Sequence, residues 1–134
     1  ALLQSDLSAA EKAMKKAIGA DRSAGAYAGL GRVYMATPGR LDESVRYLRK
    51  ALWKDRNCFC AQLNLARVYA RMEHYSTDRA YQRAIAMDSS KTEILLELAD
   101  WQIGQQNLEG AERTQIRYRS TYPAGTPNNA GGNL

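Results

Sequence analysis

The chain is poor in the residues from which most catalytic and metal centres are built. Its 134 residues include one histidine and two cysteines, and they contain no glycine-rich phosphate loop, nucleophile motif or metal-ligand cluster. The cysteines, Cys58 and Cys60, lie two apart at the opening of an expected helix. A disulfide between them would close too small a ring without strain, and two thiols with the distant His74 fall short of a metal site. They read instead as small, half-buried apolar residues. The expectation is a protein without catalysis or cofactor, in which neighbouring carboxylates such as Asp42 and Glu43 serve as helix-start charges. The thiol content suits a reducing cytosol and an oxidising compartment alike, so localisation stays open.

Long apolar runs are missing too. The longest are a few residues, far short of the roughly 20 that span a bilayer, so no transmembrane segment is expected. No charged-then-apolar leader opens the chain, and it begins at Ala1 rather than methionine, as expected of a processed protein or a piece cut from a longer one. An apolar content of 45% is ordinary for one packed domain.

What the chain does have is an internal period of about 34 residues. Ala17, Ala51, Ala84 and Tyr118 end matching helices in steps of 34, 33 and 34, and Asp21, Asp55 and Asp88 follow the first three at a constant interval. Leu30-Gly31, Leu65-Ala66 and Leu98-Ala99 make a second ladder, in steps of 35 and 33. Periods of this length belong to stacked helical repeats.

Apolar spacing at three and four residues predicts seven helices. The first runs from about Asp6 to Ala20 with Ser5 or Asp6 as its N-cap. The second covers Ala24 to Ala36 and stops at Thr37-Pro38-Gly39, and the third covers Leu41 to Lys54. The rest are expected at about Cys60 to Arg71, Thr77 to Met87, Thr92 to Gly104 and Leu108 to Ser120, with a turn centred on Glu73-His74-Tyr75. Gly31, Ala66 and Ala99 let neighbouring helices approach closely, while Tyr27, Leu30, Tyr34 and their counterparts fill the space beside them. The segment from Pro123 to Leu134, rich in proline, glycine and asparagine, is expected to be a disordered tail.

These residues resemble the tetratricopeptide repeat. The first complete repeat shows Tyr27, Leu30-Gly31, Tyr34, Leu41, Ser44, Leu48 and Ala51, with Arg56 where the family has proline. The second shows Leu65-Ala66, Tyr69, Tyr75, Tyr81 and Ala84, and the third Leu98-Ala99, Leu108, Ala111, Tyr118 and Pro123, with Gln102 in place of tyrosine. Ala10, Met14, Ala17 and Asp21 match only the second helix of an earlier repeat. The resemblance implies an all-α fold, a right-handed α-solenoid of antiparallel helix pairs. Its domain would cover 1–122, with a half repeat at 6–22 and repeats at about 24–56, 59–89 and 92–122. A half repeat is what a segment cut from a longer array would leave, with apolar ends uncovered.

The family holds an extended peptide or a partner helix on the concave surface lined by the first helix of each pair. Here the resemblance assigns to that groove Arg32, Asn64, Arg67 and Arg71, and at its acidic end Glu93, Glu97 and Asp100. Guanidinium forks suit carboxylates, and the Asn64 amide suits a peptide backbone. The subfamily that clamps chaperone tails is not matched: Ala28 and Arg32 stand where lysine and asparagine are wanted, and Glu93 and Glu97 where lysine and arginine are wanted. The expected function is a non-catalytic protein-interaction scaffold, a segment of a larger assembly or biogenesis factor. The alternative is self-association through an exposed end or the tail.

The net charge of +5 invites a nucleic-acid reading. Between Arg32 and Arg83 stand 11 basic and 5 acidic residues, whereas Asp88 to Glu112 holds six acids against Lys91. That is a dipole along the chain rather than a basic stripe, and no linear basic segment is interleaved with aromatics, so nucleic acid is the less expected partner.

Overall fold

A computed structural model describes residues 2–20 and 22–121. Among them are seven α-helices and no strand: α1 (Leu2–Ala20), α2 (Ala24–Ala36), α3 (Leu41–Lys54), α4 (Phe59–Arg71), α5 (Thr77–Met87), α6 (Glu93–Gly104) and α7 (Leu108–Ser120). The chain divides into two compact units, one ending at Met87 and one beginning at Asp88. The tail expected over 123–134 lies outside the described residues, as does Asp21. No helix among the described residues is long and apolar enough to cross a membrane.

Helices α2, α3, α5 and α7 keep the bounds expected from their breakers and caps. Ser23 caps α2, its Oγ accepting from the Ala26 N–H at 3.2 Å. At the other end Thr37 donates its hydroxyl to the Val33 carbonyl at 2.7 Å, before Pro38 stops the helix. Helix α1 corrects the expected start: it begins at Leu2 and runs through Ser5 and Asp6. Leu3 continues the series Leu7, Ala10, Met14 at three- and four-residue steps, so the periodicity does not stop at the polar pair.

The turns inside the three helical hairpins share a backbone signature. Gly39, Glu73 and Gln106 have φ of 77°, 52° and 62°, and they stand 34 and 33 residues apart, the period of the sequence. After α4 the Glu73 N–H bonds to the Ala70 carbonyl at 3.1 Å and the His74 N–H to the Tyr69 carbonyl at 2.9 Å. After α6 the Gln106 N–H bonds to Ile103 and the Asn107 N–H to Gln102, each at 2.9 Å. Both are Schellman caps, which satisfy carbonyls that a helix end would otherwise leave unpaired.

In the first unit α2 packs against α1, α3 and α4. Glycine makes this crowding feasible. A Cβ added at Gly31 would lie 2.6 Å from Leu48 Cγ and Cδ2 in α3, and one at Gly29 would lie 2.5 Å from Met14 Sδ in α1. The expected close approach at Gly31 is therefore present, and Gly29 adds a second on another side. Ser44 of α3 completes the α2 contact by donating its hydroxyl to the Gly31 carbonyl at 2.7 Å. Leu30, Leu48 and Val68 are fully buried around this seam. Between α4 and α5, the buried Gln62 amide donates to the Ala80 carbonyl at 3.0 Å, and Ala66, Ala84 and Ile85 fill the interior.

A polar cluster ties α1 to the start of α3. Arg40 pairs with Glu43 and reaches Glu11 at 3.5 Å, while Lys15 sits 3.6 Å from Glu11. The hydrogen bond from Tyr34, and then the nearby Lys15 and Arg40 charges, hold the Glu11 carboxyl below its ordinary value of 4.5. A carboxyl depressed by folding stabilises fully above its ordinary value and loses that contribution as pH falls through the lowered one. Glu11→Gln is expected to cost about 0.5 kcal/mol at neutral pH, as partly exposed pairs do. Urea unfolding should show the gap between variant and parent closing as pH falls below 4.5.

The second unit pairs α6 with α7. Ile94, Leu95, Leu98 and Ala99 of α6 and Ala111 and Thr114 of α7 are buried. Gln102 is buried and accepts a hydrogen bond from the Thr114 hydroxyl at 2.8 Å. Asn107 caps α7, its Oδ1 accepting from the Gly110 N–H at 3.0 Å. In the turn before α6, Asp88 accepts from the Ser90 hydroxyl and N–H, which holds its carboxyl below the usual range.

Candidate binding faces

Helices α2 and α4 pack side by side in the first unit, and they carry four of the residues expected to line a groove. Arg32 is exposed and Arg67 half-buried. Arg71 is exposed but engaged, donating to the Met35 carbonyl at 2.8 Å. That carbonyl lies in the last turn of α2, where a cation is favourably placed. Asn64 is placed differently from the expectation of an open amide. It is only 6% exposed, and its Nδ2 donates to Cys60 Sγ, one turn earlier, at 3.3 Å. The pairing also corrects the reading of the thiols: Cys58 is half-buried, but Cys60 is exposed.

The acidic members stand on α6 in the second unit. Glu93 and Asp100 are exposed and Glu97 is half-buried. Their spacing of four and three residues puts them on one side of that helix.

Sequence reasoning missed a second feature of the first unit. A hollow of about 390 Å³ lies between α3, α4 and α5, walled by Arg49, Arg79, Arg83, His74 and Tyr75 and floored by the buried Gln62 and Leu65. Beside it a shallow hollow lies along α3, lined by Arg46, Arg49, Lys50 and Trp53. Two more follow towards α1 and α2, lined by Arg22, Tyr27, Lys50 and Lys54 in one case and by Lys15, Arg22, Tyr27 and Tyr47 in the other. Neighbouring hollows share walls: Arg49 belongs to the first two, and Lys50 to the last three. Among the described residues Asp42 is the one carboxylate that lines any of them.

Aromatic rings are interleaved with these cations. Lys50 lies 5.2 Å from the Tyr47 ring and 5.8 Å from the Tyr27 ring, Lys54 lies 5.8 Å from Trp53, and Arg46 lies 4.9 Å from Tyr47, within cation–π reach. At the other end His74 stacks on Tyr69 at 4.3 Å and on Tyr75 at 4.4 Å. The Ser76 N–H donates to His74 Nδ1 at 3.0 Å and orients the imidazole. Arg32, Arg67 and Arg71 line none of these hollows, so the expected face and the basic track are distinct.

Among the described residues no three metal-ligating side chains come together. Compared with known proteins, the chain matches no family model and no curated protein.

Proposed function

We propose that the chain is a helical-repeat module of the tetratricopeptide type, a non-catalytic scaffold that holds a protein or peptide partner. The observation that carries this reading is the packing of α2 beside α4, which sets Arg32 and Arg67 on neighbouring first helices of successive hairpins. The recurring left-handed turn residue, in register with the sequence period, supports the repeat itself. Stacking of such hairpins into a right-handed solenoid would extend the face and put Glu93, Glu97 and Asp100 at its acidic end.

The test pairs a photo-crosslinking residue in place of Met35, half-buried on α2 beside Arg71, with the charge reversals Arg32→Glu and Arg67→Glu. Crosslinking in native extract is expected to yield one dominant protein. The double reversal should weaken its capture at least about tenfold, the scale of losing two charge-assisted contacts, with the helical circular dichroism unchanged. Capture that survives the reversal rejects the face. A second reading, self-association, is favoured by Leu108 and Ile116, large apolar residues 67% and 53% exposed on α7. In the same experiment it is distinguished by crosslinks formed only to a second copy of the chain.

A further inference from the structure

We propose that the first unit also binds single-stranded nucleic acid, along the basic and aromatic track on α3 and α5. The track is continuous, because its hollows share Arg49 and Lys50 as walls. Along α3 the residues Arg46, Arg49, Lys50, Trp53 and Lys54 recur at three- and four-residue intervals and so form one stripe. Arg79 and Arg83 repeat the spacing on α5. All of these side chains are exposed, and among the described residues none of the cations on α3 or α5 is in an ion pair. Such a stripe attracts a polyanion.

The aromatic rings decide which polyanion. Trp53 is 81% exposed and Tyr75 is 91% exposed, so most of each ring faces water. Tyr75 is held with one face against the His74 imidazole and the other open. Unpaired bases present π-faces to such platforms, and single-strand binding proteins combine them with a cationic groove in this way. An acidic peptide would use the guanidinium groups but leave both rings without a cognate surface. A duplex keeps its bases stacked on one another and offers neither ring a partner.

The test measures fluorescence anisotropy of a labelled oligouridine of about twelve nucleotides, enough for one site, across a potassium chloride series. Engagement of about four phosphates predicts a log–log salt slope of about −3. Arg49→Glu with Arg83→Glu should weaken binding at least about tenfold. Trp53→Ala with Tyr75→Ala should weaken it about tenfold, from lost stacking. Arg113→Glu with Arg119→Glu, two exposed arginines of α7, changes net charge equally and should leave affinity within about twofold, apart from long-range attraction.

A direct readout uses a Trp101→Phe background, in which Trp53 is the one tryptophan left to excite selectively; the buried Trp101 Nε1 has no hydrogen-bond partner among the described residues, so its loss is tolerable. Oligouridine should quench Trp53. Absence of binding at low salt, equal affinity for a duplex, or unquenched Trp53 would overturn the proposal. So would displacement by polyglutamate at equal charge concentration together with full affinity in the aromatic double variant, since that pattern identifies an acidic-peptide site.

Discussion

Replacing Gly31 by leucine is expected to destabilise the first unit by about 3 kcal/mol or more, at the upper end of overpacking effects. The position has no slack. Even the first added carbon would sit 2.6 Å from Leu48 Cγ and Cδ2, and 3.3 Å from the Leu48 backbone nitrogen, so a rotamer change cannot clear the path and α3 must move. Moving α3 also pulls Ser44 from the Gly31 carbonyl, where it bonds at 2.7 Å. Urea unfolding of the single variants and a double-mutant cycle provide the check. Gly31→Ala should be costly alone, despite a gain in helix propensity of about 1 kcal/mol. In a Leu48→Ala background, where the obstructing branch is gone, the same substitution should become neutral or favourable. Additive effects would show that the seam is looser than these distances require.

The second large effect is expected at Leu98. This side chain of α6 is fully buried, and the other buried apolar residues of α6 and α7 are Ile94, Leu95, Ala99 and Ala111. Leu98→Ala removes about 3 kcal/mol through lost transfer energy and an unfilled cavity. Because the hairpin is small, that loss is a large share of what holds it. Hydrogen exchange should show protection falling across Glu93–Gly104 and Leu108–Ser120. Protection at parent levels in those two helices would mean that the interior repacks.

Much of this architecture is legible in the sequence because its punctuation is local. Thr37-Pro38-Gly39 ends α2, Gly31 stands where Leu48 approaches closely, and Ala66 and Ala99 are buried as Gly31 is. What escapes notice depends on neighbours far along the chain or on unexpected residue types. Glu73 and Gln106 adopt the left-handed conformation that usually belongs to glycine, so the expected turns carry a backbone geometry that the identity of these residues does not announce. Gly29 lies off the repeating ladder, and its role appears only when Met14 of α1 is placed against it. Asn64 reads as an open amide until Cys60, one turn away, is seen to accept from it.

The basic track is only partly legible, for the same reason on a larger scale. Arg22, Lys50 and Arg79 are separated by 28 and 29 residues, and the rings between them arrive from different helices. On α3 the alternation of cation and aromatic is written in the chain, as Arg46-Tyr47, Arg49-Lys50 and Trp53-Lys54, whereas its continuation to Arg22, Tyr27, Arg79 and Arg83 exists only in space. Counting charges along the sequence finds the excess but not the stripe.

The stack of His74 between Tyr69 and Tyr75 has a spectroscopic consequence. Ring currents from the two phenols should displace the imidazole Cδ2 and Cε1 proton resonances from random-coil positions. The chain has one histidine, so these lines carry no assignment ambiguity. The wall of the 390 Å³ hollow therefore contains a built-in magnetic reporter, readable without a label, whose lines register whatever slides onto or dislodges Tyr75.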